Sequence, residues 1–160
     1  MANLMSEDEI IKKTLITAKI IAMVGVSSIK KEISSNLKRR PSTIVMKYLQ
    51  EFGYRVIPVN PSAAGTKIYG EIFVAKLEDI NIPVDIVDVF RPSIETPLIA
   101  EQTVKIRAKT LWLQYGIQNA EAEQIVKSKN INYISNKCIK QEYQRLFLKV
   151  SPVFPALKNN

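Results

Sequence analysis

The chain has no histidine and a single cysteine, Cys138, among its 160 residues. Without histidine there is no Ser-His-Asp or Cys-His pair, no phosphohistidine and no ordinary zinc cluster. Acid–base work near neutral pH would fall to a shifted carboxylate, a lysine, a tyrosine or Cys138. The chain is poor in catalytic groups, so a non-catalytic role is the expectation. One cysteine makes no internal disulfide, and Met1 to Asp8 lacks the basic head and apolar stretch of a secretory signal. Together these point to a reducing, cytoplasmic setting. No run approaches the roughly 18 consecutive apolar residues of a membrane-spanning helix. Glycine is also scarce, at five residues.

The remaining composition is that of a globular protein, 46% hydrophobic and 24% charged, able to bury a core. The length suits one domain over residues 1–160, with a core at about 18–147 and a frayed tail at 151–160. The net charge of +8 suggests an anionic partner. It gathers in two places. Lys30, Lys31, Lys38, Arg39 and Arg40 are opposed only by Glu32. Lys127, Lys129, Lys137, Lys140, Arg145 and Lys149 are opposed only by Glu142. Neither cluster interleaves aromatics as a single-strand binder does, and no nucleic-acid-binding module is recognisable, so nucleic acid is disfavoured.

Along the chain, Ser6 followed by Glu9 is a capping-box pattern opening an amphipathic helix over 6–17. Ile20 to Val24 reads as a buried strand ending at Gly25. Pro41 suits the first turn of a helix running to Phe52, and Gly53 ends it. Tyr54 to Val59 is a second strand, closed by Asn60-Pro61. Ala63 to Asp79 is a connector with a short strand or helical turn around Val74 to Ile80. Val84 to Phe90 is a third strand, carrying Asp85 and Asp88. A helix spans Ser93 to Arg107, with Pro97 in its first turn. Thr110 to Tyr115 is a fourth strand, Ala120 to Ser128 a helix, Ile131 to Ile134 a fifth strand and Ile139 to Leu148 a final helix. Trp112, on a central strand, belongs to the core. Alternating strands and helices at crossover spacing predict a doubly wound α/β sheet of five mainly parallel strands. Ligands of such sheets bind beyond the carboxyl ends of the strands. That directs attention to Gly25 to Ser28, Asn60-Pro61, Phe90-Arg91 and Gln114 to Gly116.

Gly25 lets backbone approach a phosphate, and Ser27 and Ser28 add hydroxyl groups. The helix start at Pro41-Ser42-Thr43 offers backbone N–H groups and a favourable dipole, with Arg40 beside it for a forked phosphate contact. A dinucleotide fingerprint would have three glycines here rather than one. It would also have Asp or Glu at the end of the second strand to bond the ribose hydroxyls. Val59-Asn60-Pro61 is neutral, which disfavours NAD and leaves NADP open.

Six ordered blocks carry a family resemblance: Ile21 to Ser28, Arg40-Pro41-Ser42, Gly53 to Pro61, Asp85 to Arg91, Trp112 to Gly116, and Asn136-Lys137-Cys138 through Glu142-Tyr143. Over about residues 18–147 the chain resembles the small stand-alone coenzyme A-binding proteins, which are similar to the CoA-binding half of succinyl-CoA synthetase. The resemblance implies a Rossmann-like fold and binding of coenzyme A, free or acylated. It places the diphosphate at Gly25, Val26, Ser27 and Ser28, with Arg40, Pro41 and Ser42 in support. Asn60 and Pro61 would follow the adenosine, with Val89, Phe90 and Arg91 on its other side, and Gln114 with Gly116 would face the pantetheine path. The synthetase's phosphorylated histidine has no counterpart here. The chain also departs from the pattern: Ile29 to Arg39 is long and basic, and Cys138-Ile139-Lys140-Gln141-Glu142 stands where the family has Cys-Pro-Lys-Ile-Glu. The leading expectation is a non-enzymatic module for CoA or acyl-CoA. The alternative is an NADP-linked oxidoreductase or a CoA-thiol exchange protein using Cys138. A homodimer is left open.

Overall fold

The computed structural model describes residues 4–28 and 41–148. Arg40, the basic segment before it and the 151–160 tail therefore lie outside the described residues. Helix α1 (Glu7–Thr17) opens with the reciprocal cap its sequence predicts. The Ser6 hydroxyl accepts the Glu9 N–H at 3.1 Å, and the Glu9 carboxylate accepts the Ser6 N–H at 2.8 Å. Strand β1 (Ile20–Val24) follows, then α2 (Pro41–Glu51), with proline at its first position where a missing N–H costs nothing. Beyond β2 (Arg55–Val59), β5 (Ile86–Val89), α3 (Thr96–Lys105), β6 (Thr110–Leu113), α4 (Ala120–Lys127), β7 (Asn132–Ile134) and α5 (Ile139–Tyr143) complete the main frame.

The five strands lie in the order β2-β1-β5-β6-β7, and every neighbouring pair is parallel. This is a doubly wound, Rossmann-like α/β sheet of the 2-1-3-4-5 order. The chain leaves β1 toward one edge and later returns past it to build the other half. The crevice between β1 and β5 is thus the switch point, and Gly25 and Phe90 sit at its mouth.

Strand periodicity sorts the core into two layers. Ile21, Met23, Ile86, Trp112 and Ile134 face a layer with Ile11, Leu15, Val45, Met46, Leu49 and Ile139. Ala22, Val87, Val89, Leu111 and Leu113 face the other, with Ile99, Ala100, Ala122 and Val126. Burial on both faces explains why these strands read as near-continuous apolar runs.

The segment after β2 is more ordered than its sequence predicts. A 3₁₀ turn (Pro61–Ala63) leads into a hairpin of β3 (Lys67–Ile68) and β4 (Glu71–Ile72). Its two loop residues, Tyr69 and Gly70, have φ of 47° and 83°, the left-handed pair that a tight hairpin of matching twist demands. Tyrosine in the first of those positions hid the signal. Val74 then pairs along β2, donating to Pro58 and accepting from Asn60, and so covers that sheet edge. Two helices also differ in detail. The predicted 93–107 helix begins as a 3₁₀ turn (Ser93–Glu95) before α3, and α5 continues as a π-helical turn over Gln144–Leu148.

Candidate ligand-binding site

At the carboxyl end of β1 the chain turns through Gly25, with φ of 93°. A side chain there would place its Cβ 2.6 Å from the Phe90 carbonyl oxygen and 2.8 Å from the Arg91 side chain, so the position is closed to any other residue. The turn is held from three sides. The Gly25 N–H donates to Val59 O at 2.9 Å, Asn60 Nδ2 donates to Val26 O at 2.9 Å, and the Ser27 N–H donates to the Ser42 hydroxyl at 3.2 Å. The last bond ties the loop to the first turn of α2, the positive end of its dipole. The Asn60 side chain is engaged at both its nitrogen and its oxygen, because its Oδ1 also accepts from the N–H and hydroxyl of Ser62.

Two cavities open on this end of the sheet. One, of about 740 Å³, lies over Val24, Gly25, Asn60 and Pro61 and is walled by Ile94, Leu98 and Lys76. The other, of about 790 Å³, lies over Phe90, Gln114 and Cys138 and is walled by Pro41, Val45, Tyr115 and Ile117. Arg91 lines both. Its guanidinium forms a two-pronged pair with Glu95, at 3.0 and 2.8 Å. Ile94 and Tyr115 are 86% and 76% exposed, which leaves large apolar side chains standing at the rims.

The sequence-predicted residues thus divide. Gly25, Asn60, Pro61 and Arg91 gather at the first cavity, and Pro41, Phe90, Arg91 and Gln114 at the second. Val26 and Val89 are buried in the core and offer backbone only. Gly116 lines neither cavity; its φ of 85° and a 2.7 Å bond from its N–H to Asn136 Oδ1 set the turn that places Tyr115 and Ile117. The second basic cluster is largely engaged within the protein. Lys127 pairs with Glu123, Lys137 with Glu7, Arg145 with Asp8 and Glu142, and Lys140 lies over the Tyr48 ring.

Beneath the second cavity is a buried polar cluster that the sequence reading passed over. Asp88 points to the α1–α2–α5 face of β5, in register with Met23 on one side and Trp112 on the other. Gln114 Nε2 donates to its Oδ1, while its Oδ2 has no hydrogen-bond partner. Burial pushes the Asp88 carboxyl up to about 8, against the smaller opposing effect of the Gln114 bond. Asp85, three residues earlier, shows the opposite balance. Burial raises it, but the N–H groups of Ile20 and Lys19 at 2.9 and 2.8 Å, together with Lys109, outweigh that and hold it below the usual range. The available signal for Asp88 was an acid at a position whose in-strand neighbours all face the core.

Gln114 Oε1 accepts the Ile139 N–H at 3.4 Å, so the same side chain joins β5 to the start of α5. That N–H exists because isoleucine stands where the resembled pattern has proline, and the helix begins at this residue without it. Cys138 precedes the helix, half-buried at the cavity wall. Burial raises its thiol, with the N–H groups of Gln141 and Lys140 pulling the other way. Among the described residues no cluster of acidic or cysteine side chains could hold a metal, and no helix is long and apolar enough to cross a membrane.

Comparison with known proteins agrees with the fold. The family described as "CoA binding domain" matches residues 19–144. The uncharacterized protein YneT of Bacillus subtilis (strain 168) is 39% identical over 133 residues, spanning 81% of this chain and 89% of its own. A Thermus thermophilus structure, cell-free ID.343, superposes with a TM-score of 0.79 at 37% identity, covering 89% of this chain and all of that one. A hypothetical protein from Pyrococcus horikoshii OT3 gives 0.77 at 32% identity, with 91% and 99% covered. The dinucleotide-forming acetyl-coenzyme A synthetase 1 of Ca. Korarchaeum cryptofilum shares the fold at a TM-score of 0.60 and 21% identity, over 78% of this chain and 27% of that one.

Proposed function

Because the chain belongs to the CoA binding domain family, we propose that it binds coenzyme A, free or acylated, as a non-catalytic module of the cytoplasm. The observation that carries this reading is the pair of cavities flanking the Gly25–Phe90 approach at the switch point, joined at Arg91. A ligand with a nucleotide at one end and a long thin arm at the other fits two chambers in series. The adenosine lies along Asn60 and Pro61 in the first, against the exposed apolar Ile94 and Leu98. The diphosphate takes the turn from Gly25 through Val26, Ser27 and Ser28, where a glycine cradle faces the positive end of α2 at Pro41 and Ser42. Arg40 completes the phosphate contacts, and Arg91 exchanges Glu95 for a phosphate oxygen. Val89 and Phe90 support the turn through backbone, and the pantetheine arm passes Gln114 and Gly116 into the second chamber. The residues present suit the ligand, since Gly25 lets the turn close against Phe90 and Arg91 while the loop is tied to the start of α2, whose positive end favours a phosphate.

Thermal shift with CoA, acetyl-CoA, dephospho-CoA, NADP and NAD at matched concentrations tests this. At 100 times its dissociation constant a ligand adds about 2.7 kcal/mol, which for a chain of this size raises Tm by roughly 5–11 °C. CoA stabilising more than dephospho-CoA and NADP is the expected order. No shift with CoA, or a larger one with NADP, overturns the reading and moves the oxidoreductase forward. A thiol-exchange role has one observation in its favour, Cys138 at the wall of the second cavity. It requires a mixed disulfide with oxidised CoA at neutral pH, visible by intact mass; burial of the thiol predicts that none forms.

A further inference from the structure

The second cavity is roomy, and its wall is mainly apolar. At about 790 Å³ it lies in the upper part of the range that encloses a whole drug-sized ligand, about 300–1,000 Å³, and so has room for the end of the pantetheine arm together with a group carried on its thiol. Val45, Phe90, Pro92, Tyr115 and Ile117 present apolar surface. Its polar lining is neutral: Gln114, whose amide is already bonded to Asp88 and to the Ile139 N–H, with Gln141 and Cys138. The single charged lining residue described, Arg91, stands at the junction with the first cavity and is held by Glu95.

Resting on the CoA-binding reading, we propose that this chamber seats the acyl group of an acyl-CoA, and that the acyl group is a neutral apolar chain rather than one ending in a carboxylate. Each methylene that enters removes apolar wall and apolar chain from water together. A terminal carboxylate entering the same space would be desolvated with no uncommitted cation among the described lining residues to receive it. Tyr115, exposed at the rim, is placed to lie across the chain once it is seated.

Isothermal titration calorimetry of the full chain against CoA and its acetyl, butyryl, hexanoyl and succinyl thioesters tests the proposal. Butyryl and succinyl groups have the same number of carbons and differ in a terminal methyl against a carboxylate. The expected result is butyryl-CoA binding about tenfold tighter than acetyl-CoA, with an increasingly negative heat-capacity change along the series. Succinyl-CoA binds no tighter than CoA. Affinities that are flat or fall from CoA to butyryl-CoA while CoA itself binds overturn the proposal and leave CoA binding standing. Succinyl-CoA matching butyryl-CoA also overturns it. Failure of every ligand, CoA included, removes the underlying reading and the chamber's occupant with it.

Discussion

Replacing Asp88 with asparagine separates the cost of burying a carboxyl from the value of its hydrogen bond. In the wild type the folded protein holds a proton on this group up to about pH 8, while the unfolded chain releases it near its ordinary pKa of about 3.9. The folded pKa is raised, so the unfolded state binds fewer protons between those values. Stability is fully present below about pH 4 and declines as pH rises toward 8, by about 1.4 kcal/mol per pH unit. Asparagine keeps an oxygen that accepts from Gln114 Nε2 and cannot ionise. Between pH 5 and 7 the wild type should therefore lose about 3 kcal/mol relative to Asp88→Asn. For a chain of this size that is a relative fall in Tm of about 6–12 °C. Urea melts of both proteins at half-unit intervals from pH 4.5 to 9 give the difference directly. At pH 4.5 the variant is expected to be equal or slightly less stable, because its amide N–H₂ stands where Oδ2 has no partner. Above pH 6 it becomes the more stable of the two. Parallel curves across the whole range would refute the reasoning and mean that the carboxyl is hydrated or otherwise compensated in the fold.

Two further substitutions probe the frame. Gly25→Ala combines a left-handed backbone with a Cβ only 2.6 Å from the Phe90 carbonyl oxygen. It should cost about 2–4 kcal/mol and abolish the thermal shift with CoA; a variant of wild-type stability that still binds refutes the close-approach argument. Asp85→Ala removes the acceptor of the Lys19 and Ile20 N–H groups and should cost about 1–3 kcal/mol at neutral pH. Because the folded pKa of Asp85 is lowered, its contribution is present above the unfolded value and disappears as pH falls through the folded one. The difference between the two proteins should accordingly begin to narrow as pH falls below about 4, and a difference that stays constant through the acid range refutes the assignment.

The sheet was legible because parallel strands buried on both faces leave plain apolar runs, and capping residues such as Ser6 and Pro41 mark helix starts by their own chemistry. The hairpin at 67–72 was not, since its strands are two residues each and its left-handed positions are Tyr69 and Gly70 rather than Asn-Gly. At the strand ends, sequence located Gly25, Asn60, Arg91 and Gln114 at the cavities but gave no indication that Asn60 and Gln114 spend their amides on neighbouring segments. Val89, which the resemblance implies for the adenosine wall, is fully buried in the same layer as Val59, Leu77 and Ile99 and lines neither cavity. Asp88 was named within the third strand but given no role. One acid inside a strand carries no motif, and its significance depends on Met23 and Trp112 being its neighbours across two strand pairings far apart in sequence.

That last juxtaposition equips the protein with an optical probe of its own. Trp112 is the sole tryptophan of the chain, fully buried, with its indole N–H fixed on the Lys137 carbonyl at 2.8 Å. It stands one strand from Asp88 on the same face, in a medium that screens charge weakly. The appearance of a carboxylate there changes the field across the indole with no other fluorophore of its kind to dilute the signal. Tryptophan emission followed against pH in the folded protein thus reads one proton on one side chain. The same emission followed during ligand titration reports whether filling the chamber above Gln114 is felt in the layer below it.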